Sequence, residues 1–359
     1  MKKILCFLVL LLVPVKVFAI SASSYIAYDL DNDIIYYEKN ADDKKLIASI
    51  TKILTAIVTI ENVDINKYVE VSDEVLKAYG SAIYIEVGEK LTIKDLLYGL
   101  MLRSGNDAAV VLAKNVAGNN EKFASLMNKL ATDIGMKNSY FINPHGLEEN
   151  DGSGNTSTAR DMALLTKYAM KNKIFREIFG TKKYTVKTNY KTYSWTNKNK
   201  LLLSEDYITG GKTGFTKKAR RTLVTTGSRN NINVVIVTLN DGNDFLDHKN
   251  MYEEIFRKYK SVKVLDKNNI KIKNEKLYKD NTLYLNNDIY VSVLSDKDKI
   301  EIDYNMYDKK RNKDNDVVGK VIIKLNGKVV RVEDILLKVN ENNIKHKSWW
   351  IKLKEWLKW

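Results

Sequence analysis

Cysteine is all but missing from this chain of 359 residues: Cys6 is the only one, and it lies in the first apolar run. A chain without a second thiol can form no internal disulfide, so its fold must be held by its core. Histidine is nearly as scarce. His145, His248 and His346 are widely separated and no His-Glu-x-x-His occurs, which argues against a zinc peptidase and leaves no metal and no cofactor to expect. There is no internal repeat, no nucleic-acid recognition motif, and no apolar run of the ~20 residues that a helix needs to cross a bilayer. Carboxylates are short as well: 44 Asp and Glu face 59 Lys and Arg, a formal charge of +15.

What is present is ordinary globular composition, 44% hydrophobic and 29% charged, with room for one large or two moderate cores. The start, "MKKILCFLVLLLVPVKVFA", has Lys2 and Lys3, an apolar run from Ile4 to Val15, and Val17 and Ala19 at the minus-three and minus-one positions. That pattern is a secretory signal peptide over residues 1–19, cleaved after Ala19. The alternative, a transmembrane anchor, is disfavoured by the shortness of the run. Cleavage would remove Cys6, Lys2, Lys3 and Lys16, leaving no thiol and a charge still strongly positive. A polycation outside the cell suits an anionic lipid surface or wall polymer, and export makes nucleic acid the weaker reading.

Three tracts differ in pattern. Residues 20–260 mix strands with long helices and hold 15 of the 17 glycines, hence most tight turns. Here "SSYIAYDLDNDIIYYEK" reads as two strands around Asp31-Asn32-Asp33. Helices are expected from Ile47, from Thr92 with Asp95 as its capping pair, from Asn106, and over "STARDMALLTKYAM". "ITGGKTGF", "RTLVTTGS" and "NINVVIVTL" read as strands, followed by the helix "LDHKNMYEEIFRKYK". Strands at both ends with helices between imply a mixed α/β (α+β) domain, an antiparallel sheet flanked by a helical cluster. Residues 261–340 alternate with period two in "VKVL", "IKIK", "YVSVL" and "KVIIKLNGKVVRV", with Asn326-Gly327 as a hairpin signal and "YDKKRNKDND" as a solvated loop; a small all-β domain is expected. Residues 341–359 end in "KSWWIKLKEWLKW", with four of the five tryptophans. As a helix, Trp349, Trp350, Leu353, Trp356, Leu357 and Trp359 share one side, opposite Lys354, Glu355 and Lys358. Such a helix suits an anionic membrane interface; packing on the protein or an oligomer contact is the alternative.

One apolar stretch holds a charge. In "ASITKILTAIVTI" Lys52 follows Ser49 by three residues, and Ser49 is the one serine in the chain with lysine at that spacing. On a helix the hydroxyl and amine share a face. A serine becomes a nucleophile when a base takes its proton, and a lysine is a base only when neutral. Apolar surroundings and a second cation, for which Lys212 is the candidate, push its pKa down. Free N–H groups at a helix start can also hold a developing oxyanion. The spacing alone is a weak signal in so lysine-rich a chain. Further along, "RSGND" places Ser104 and Asn106 at alternate positions in a turn between two apolar helical runs. "GGKTGF" places Lys212, Thr213 and Gly214 on a glycine-rich strand whose edge a substrate backbone can join. Taken singly, Ser104 reads equally as a helix cap and Lys212 as an ordinary strand residue.

The three motifs in this order resemble the penicillin-binding proteins and serine β-lactamases, with their Ser-x-x-Lys, Ser-Asp-Asn and Lys-Thr-Gly set. Ser-Gly-Asn in the middle is similar to the low-molecular-weight D-alanyl-D-alanine carboxypeptidases, as are "YYEKNADDKKLIASITKILTA", "NPHGL", "STARDMALL" and "GGKTGFTKKARRTLV". The resemblance spans about Ser24 to Lys260, and the β tract and tail look like that family's C-terminal domain and membrane anchor. It implies a β-lactamase-like transpeptidase fold and an exported enzyme at the outer face of the cytoplasmic membrane or in the cell wall. The implied substrate is the peptidoglycan stem pentapeptide, with β-lactam antibiotics as acylating inhibitors. Ser49 would attack the penultimate D-alanine carbonyl with Lys52 as base, and Ser104 with Lys212 would pass a proton to the leaving amine. Asn106 would hold the substrate amide and the Lys52 amine, and Lys212 and Thr213 would meet the terminal carboxylate. The N–H groups of Ser49 and Phe215 would form the oxyanion hole.

Two departures stand out. Arg220 occupies a position where the family usually has glycine, and either alters the cleft edge or is solvated; Arg221 matches the usual arginine. The segment "NDGNDFLDHKNM" lacks the arginine many members use for the carboxylate, leaving His248 as a candidate there, or as a packing residue. Three other readings stay open. A β-lactamase needs an activated deacylating water, and Glu148 and Glu149 fall in a plausible region but are followed four residues on by Gly152 and Ser153. A DD-endopeptidase would use the same machinery, and a catalytically silent wall-binding module would not use it.

Overall fold

The computed structural model describes residues 20–272 and 277–340. The leader, its expected cleavage point and the amphipathic tail lie outside the described residues. Among the described residues the helices are α1 (Lys52–Asn62), α2 (Ile93–Tyr98), α3 (Asn106–Ala117), α4 (Asn120–Asp133), α5 (Ala159–Ala169), α6 (Lys173–Phe179), α7 (Lys200–Ser204) and α8 (Asp244–Lys258). The main sheet is built from β1 (Ser24–Asp29), β2 (Ile35–Lys39), β3 (Ile208–Thr216), β4 (Arg220–Arg229) and β5 (Ile232–Asp241) in the antiparallel order β2-β1-β5-β4-β3.

Local chemistry explains these elements. The Asp29 carboxylate accepts from the backbone N–H groups of Asp31 at 2.9 Å and Asn32 at 2.8 Å, an Asx turn that reverses the chain between β1 and β2. Thr92 and Asp95 form the expected capping box at the start of α2. β5 is the central strand, and its continuous run Val234–Leu239 is buried because helices or strands cover both of its faces. α1 is buried from Lys52 through Thr59. It runs through the middle of the helical cluster, which is why its sequence is apolar on every side. Each fully buried isoleucine or leucine there contributes about 1.5–3 kcal/mol.

The outer face of the sheet carries α8 and the C-terminal strands β6 (Lys260–Leu265), β7 (Thr282–Tyr284), β8 (Ile289–Val293), β9 (Ile300–Met306), β10 (Val317–Leu325) and β11 (Lys328–Lys338). β6 pairs with β8, and the others stand in the order β7-β11-β10-β9. Asn326 and Gly327 turn at φ of 52° and 80°, the left-handed pair that a tight hairpin needs. These strands do not bury their apolar faces separately. Ile289, Val291 and Ile323 join one cluster with Tyr36, Val234 and Met251 of the sheet and α8. Tyr36 Oη lies 2.6 Å from Asp29 Oδ2 and 2.8 Å from Ser292 Oγ, and Asn32 Nδ2 donates to the Tyr290 carbonyl at 3.2 Å.

Two sequence expectations need correction. Ile270–Ile272, the described part of "IKIK", is not a strand, because no strand among the described residues pairs with its alternation. A hairpin of Lys183–Lys187 with Thr192–Thr196 was not anticipated, although "KYTVK" and "TYSWT" have the β-branched and aromatic alternation of strands and bury Tyr193 and Trp195.

Candidate active site

Ser49 does not lie in α1 but in a 3-10 turn, Ala48–Thr51, that feeds directly into it. Residues three apart eclipse in such a turn, so Lys52 stands over Ser49. The Lys52 Nζ is 3.1 Å from Ser49 Oγ, 2.7 Å from Asn106 Oδ1 and 2.6 Å from the His145 carbonyl. The turn is tight: Ala48 has a φ of 50°, and Gly146 approaches from the 143–147 segment so closely that a Cβ there would lie 2.1 Å from the Ala48 carbonyl oxygen.

Lys52 is fully buried. Burial, followed by the neighbouring Lys198 cation, pushes its pKa down from 10.5 to about 7, with the Asp107 carboxylate opposing. The sequence pointed to Lys212 as the second cation. The structure corrects this: Lys198 is the cation that acts on Lys52, while Lys212 is itself driven well below its ordinary range by burial, then by Lys52 and Lys198. Lys212 Nζ donates to the Thr213 carbonyl at 2.7 Å.

The remaining motif residues come from two directions. After α2 the chain passes through a π-turn, Gly99–Arg103, and Ser104 caps it in the left-handed region at φ 64°. Its Oγ is buried and has no hydrogen-bond partner among the described residues. Leaving a buried hydroxyl unpaired costs about 1–3 kcal/mol, which suits a group awaiting a ligand. Asn106 opens α3, its Oδ1 facing Lys52 and its Nδ2 donating to the Tyr79 carbonyl at 2.6 Å. From the other side comes the edge strand β3. A Cβ on Gly214 would lie 2.4 Å from Thr222 Oγ1 and 3.0 Å from the Ser49 amide nitrogen, so the absence of a side chain lets the strand backbone reach the serine. Phe215 is exposed. Ser49, Ser104, Lys198, Thr213, Phe215 and Arg221 line one cleft of about 570 Å³.

Several sequence candidates lie elsewhere. His248 is not in the cleft: it is buried between α8 and the sheet, its ring nitrogens 2.8 Å from Thr225 Oγ1 and 3.1 Å from Thr238 Oγ1. Glu148 takes the Thr216 hydroxyl and Glu149 accepts from Asn143 Nδ2 at 3.2 Å, so neither carboxylate is bonded to Ser49 or Lys52. His145 contributes its carbonyl rather than its ring, whose pKa burial and then Lys52 depress to about 3. Lys198, whose Nζ lies 3.3 Å from Ser81 Oγ, was missed, since nothing in "TNKNKL" distinguishes it from the other lysines. No group of three or more His, Cys, Asp or Glu among the described residues is arranged to hold a metal ion.

Arg220 settles into a backbone role. It is exposed and left-handed, at φ 60°, the conformation that glycine adopts without strain. Arg220→Gly is expected to raise stability by about 0.5–1 kcal/mol in urea unfolding and to leave acylation rates unchanged. A loss of stability would show that the arginine side chain matters in its own right.

Residues 13–243 match the peptidase S11 family, described as D-alanyl-D-alanine carboxypeptidase. The chain is 33% identical over 222 residues to the D-alanyl-D-alanine carboxypeptidase DacF of Bacillus subtilis, covering 60% of this chain and 56% of that one, so the match spans little more than half of that relative. It is 27% identical over 365 residues to the carboxypeptidase DacA of Haemophilus influenzae, covering 93% and 89%. Among solved structures, a D-alanyl-D-alanine carboxypeptidase of Mycobacterium tuberculosis is similar with a TM-score of 0.63 and 27% identity, over 67% of this chain and 92% of that one. The fold of penicillin-binding protein 5 from Haemophilus influenzae is shared over 90% and 98% of the two chains, with a TM-score of 0.69 and 23% identity.

Proposed function

The chain belongs to the D-alanyl-D-alanine carboxypeptidase family, and from that premise we propose that it removes the terminal D-alanine from peptidoglycan stem pentapeptides through an acyl-enzyme on Ser49. The observation that carries this is the surroundings of one amine. Lys52 Nζ has three neighbours, of which the Asn106 and His145 oxygens can only accept. A neutral amine gives its two N–H groups to those oxygens and is left with its lone pair for the Ser49 hydroxyl, the one neighbour able to donate.

As the Ser49 oxygen bonds to the carbonyl carbon of the penultimate D-alanine, its proton passes to Lys52. The negative charge that develops on the carbonyl oxygen is met by the N–H groups of Ser49 and Phe215, from the turn and from β3. When the tetrahedral centre collapses, the C–N bond breaks and Lys52 passes the serine proton through the Ser104 hydroxyl to the leaving amine. Thr213 on β3, whose carbonyl Lys212 holds, meets one end of the substrate. Water then attacks the ester, and Lys52, neutral again, takes the water's proton and returns it to the Ser49 oxygen as the shortened peptide leaves. β-Lactams enter the same course and stop at the ester, because ring opening leaves no departing fragment.

Export and membrane contact belong to the same proposal. They are supported by the leader pattern of residues 1–19, the charge of +15 and the tryptophan-rich residues 341–359. No helix among the described residues is long and apolar enough to cross a membrane. Incubating wall pentapeptide fragments with wild-type protein and Ser49→Ala, followed by mass spectrometry, tests the reading. The expected result is loss of one alanine with wild type and none with Ser49→Ala, and a long-lived penicillin adduct on Ser49. Rapid turnover of the drug would favour a β-lactamase, cleavage of crosslinks an endopeptidase, and binding without cleavage a silent wall module.

A further inference from the structure

Arg221 stands where β4 and its partner β5 each depart from regular strand geometry. Arg220 before it is left-handed, and the pairing with β5 slips between Arg221 and Thr222, where Asn240, at φ 49°, is the additional residue. Bulges of this kind re-aim a side chain. Arg221 lines the catalytic cleft together with Thr213 and pairs across β3 with Phe215.

Its guanidinium is tethered along one edge. Nε and Nη2 donate to Asp244 Oδ1 at 3.1 and 2.7 Å, and the guanidinium carbon lies 5.7 Å from the centroid of the Phe245 ring. Asp244, the first residue of α8, has only 4% of its side chain exposed, so the anchor is fixed, whereas 46% of the arginine side chain is open. A guanidinium has five N–H donors. Two are used here, and the other three meet no protein acceptor among the described residues. They lie at the Nη1–Nη2 end, whose fork matches the two oxygens of a carboxylate.

We propose that this open end of Arg221 receives the terminal carboxylate of the substrate peptide beside the Thr213 hydroxyl, with Asp244 as the positioning residue that aims it. The inference rests on the carboxypeptidase reading and assigns it a specificity determinant. Lys198, the other cation of the cleft, is a point charge with its amine at Ser81 and offers no fork.

The test compares two substrates of the same serine: an acylated peptide ending in D-alanyl-D-alanine, and an aryl ester of acyl-D-alanine that lacks the terminal carboxylate. Arg221→Ala should raise KM for the peptide by about tenfold or more, the loss expected for a charged hydrogen-bonded contact, and leave ester hydrolysis unchanged. Arg221→Lys should restore part of the peptide affinity, and Asp244→Asn should raise the peptide KM less than Arg221→Ala does while sparing the ester. Equal losses on both substrates would make Arg221 a structural ion pair. An unchanged ratio in Arg221→Ala would assign the carboxylate elsewhere in the cleft, overturning this inference while leaving the carboxypeptidase reading intact. A wild-type protein that turned over neither substrate would overturn both.

Discussion

Lys52→Arg is expected to slow acylation by a labelled penicillin by at least about a thousandfold while leaving the motif otherwise in place. Arginine keeps the positive charge and the reach but does not give up its proton, so the Ser49 hydroxyl loses its acceptor. The same experiment has a pH signature. The amine is a base only when deprotonated, and burial with Lys198 sets its pKa at about 7. Wild-type acylation should therefore rise as pH climbs through about 7 and level off above it, and Lys52→Arg should lack that limb. Stopped-flow acylation across pH 5–9 reads both. An arginine variant that acylated as fast as wild type would remove Lys52 from the chemistry.

The second large effect lies away from the motifs. Gly146→Ala should destabilise the protein by roughly 3 kcal/mol or more and cut penicillin acylation about a hundredfold. Gly146 sits at φ 87°, and the new Cβ would be 2.1 Å from the Ala48 carbonyl oxygen and 2.8 Å from Thr51 Oγ1. Relief requires the Ala48–Thr51 turn or the 143–147 segment to move. The first carries Ser49 and the second the His145 carbonyl that holds Lys52. Gly135 is the control, because it has a φ of 86° but nothing within 4 Å of its Cβ position. Gly135→Ala should cost only about 1 kcal/mol, the conformational penalty alone, and leave acylation unchanged. Equal urea midpoints for the two variants would refute the steric argument.

What could be read before the fold was known follows the range of the interactions. Ser49 and Lys52 are three residues apart, so local geometry alone brings them together, and the capping box at Thr92 and the Asn326-Gly327 turn are legible for the same reason. Strands β3, β4 and β5 were marked by composition, and the antiparallel sheet with a helical cluster followed from their order. Partners distant in the chain were not legible. Lys198 reaches Lys52, the His145 carbonyl reaches its amine across 93 residues of chain, and Asp244 anchors Arg221, each through tertiary packing that no spacing encodes. The odd residue at position 220 was visible, but its left-handed backbone was not, so a conformational matter resembled one of charge.

Burying Lys52 also links protonation to folding. Unfolded, the amine titrates near 10.5; folded, near 7. Between those values the unfolded chain holds a proton that the native one has released, so folding expels a proton and native stability grows as the solution becomes more alkaline. Below about 7 both states are protonated and the full penalty of a buried ammonium falls on the fold. At neutral pH the apolar packing of α1 therefore works against its own lysine, and the protein gives up resistance to unfolding for an amine that is ready to accept a proton.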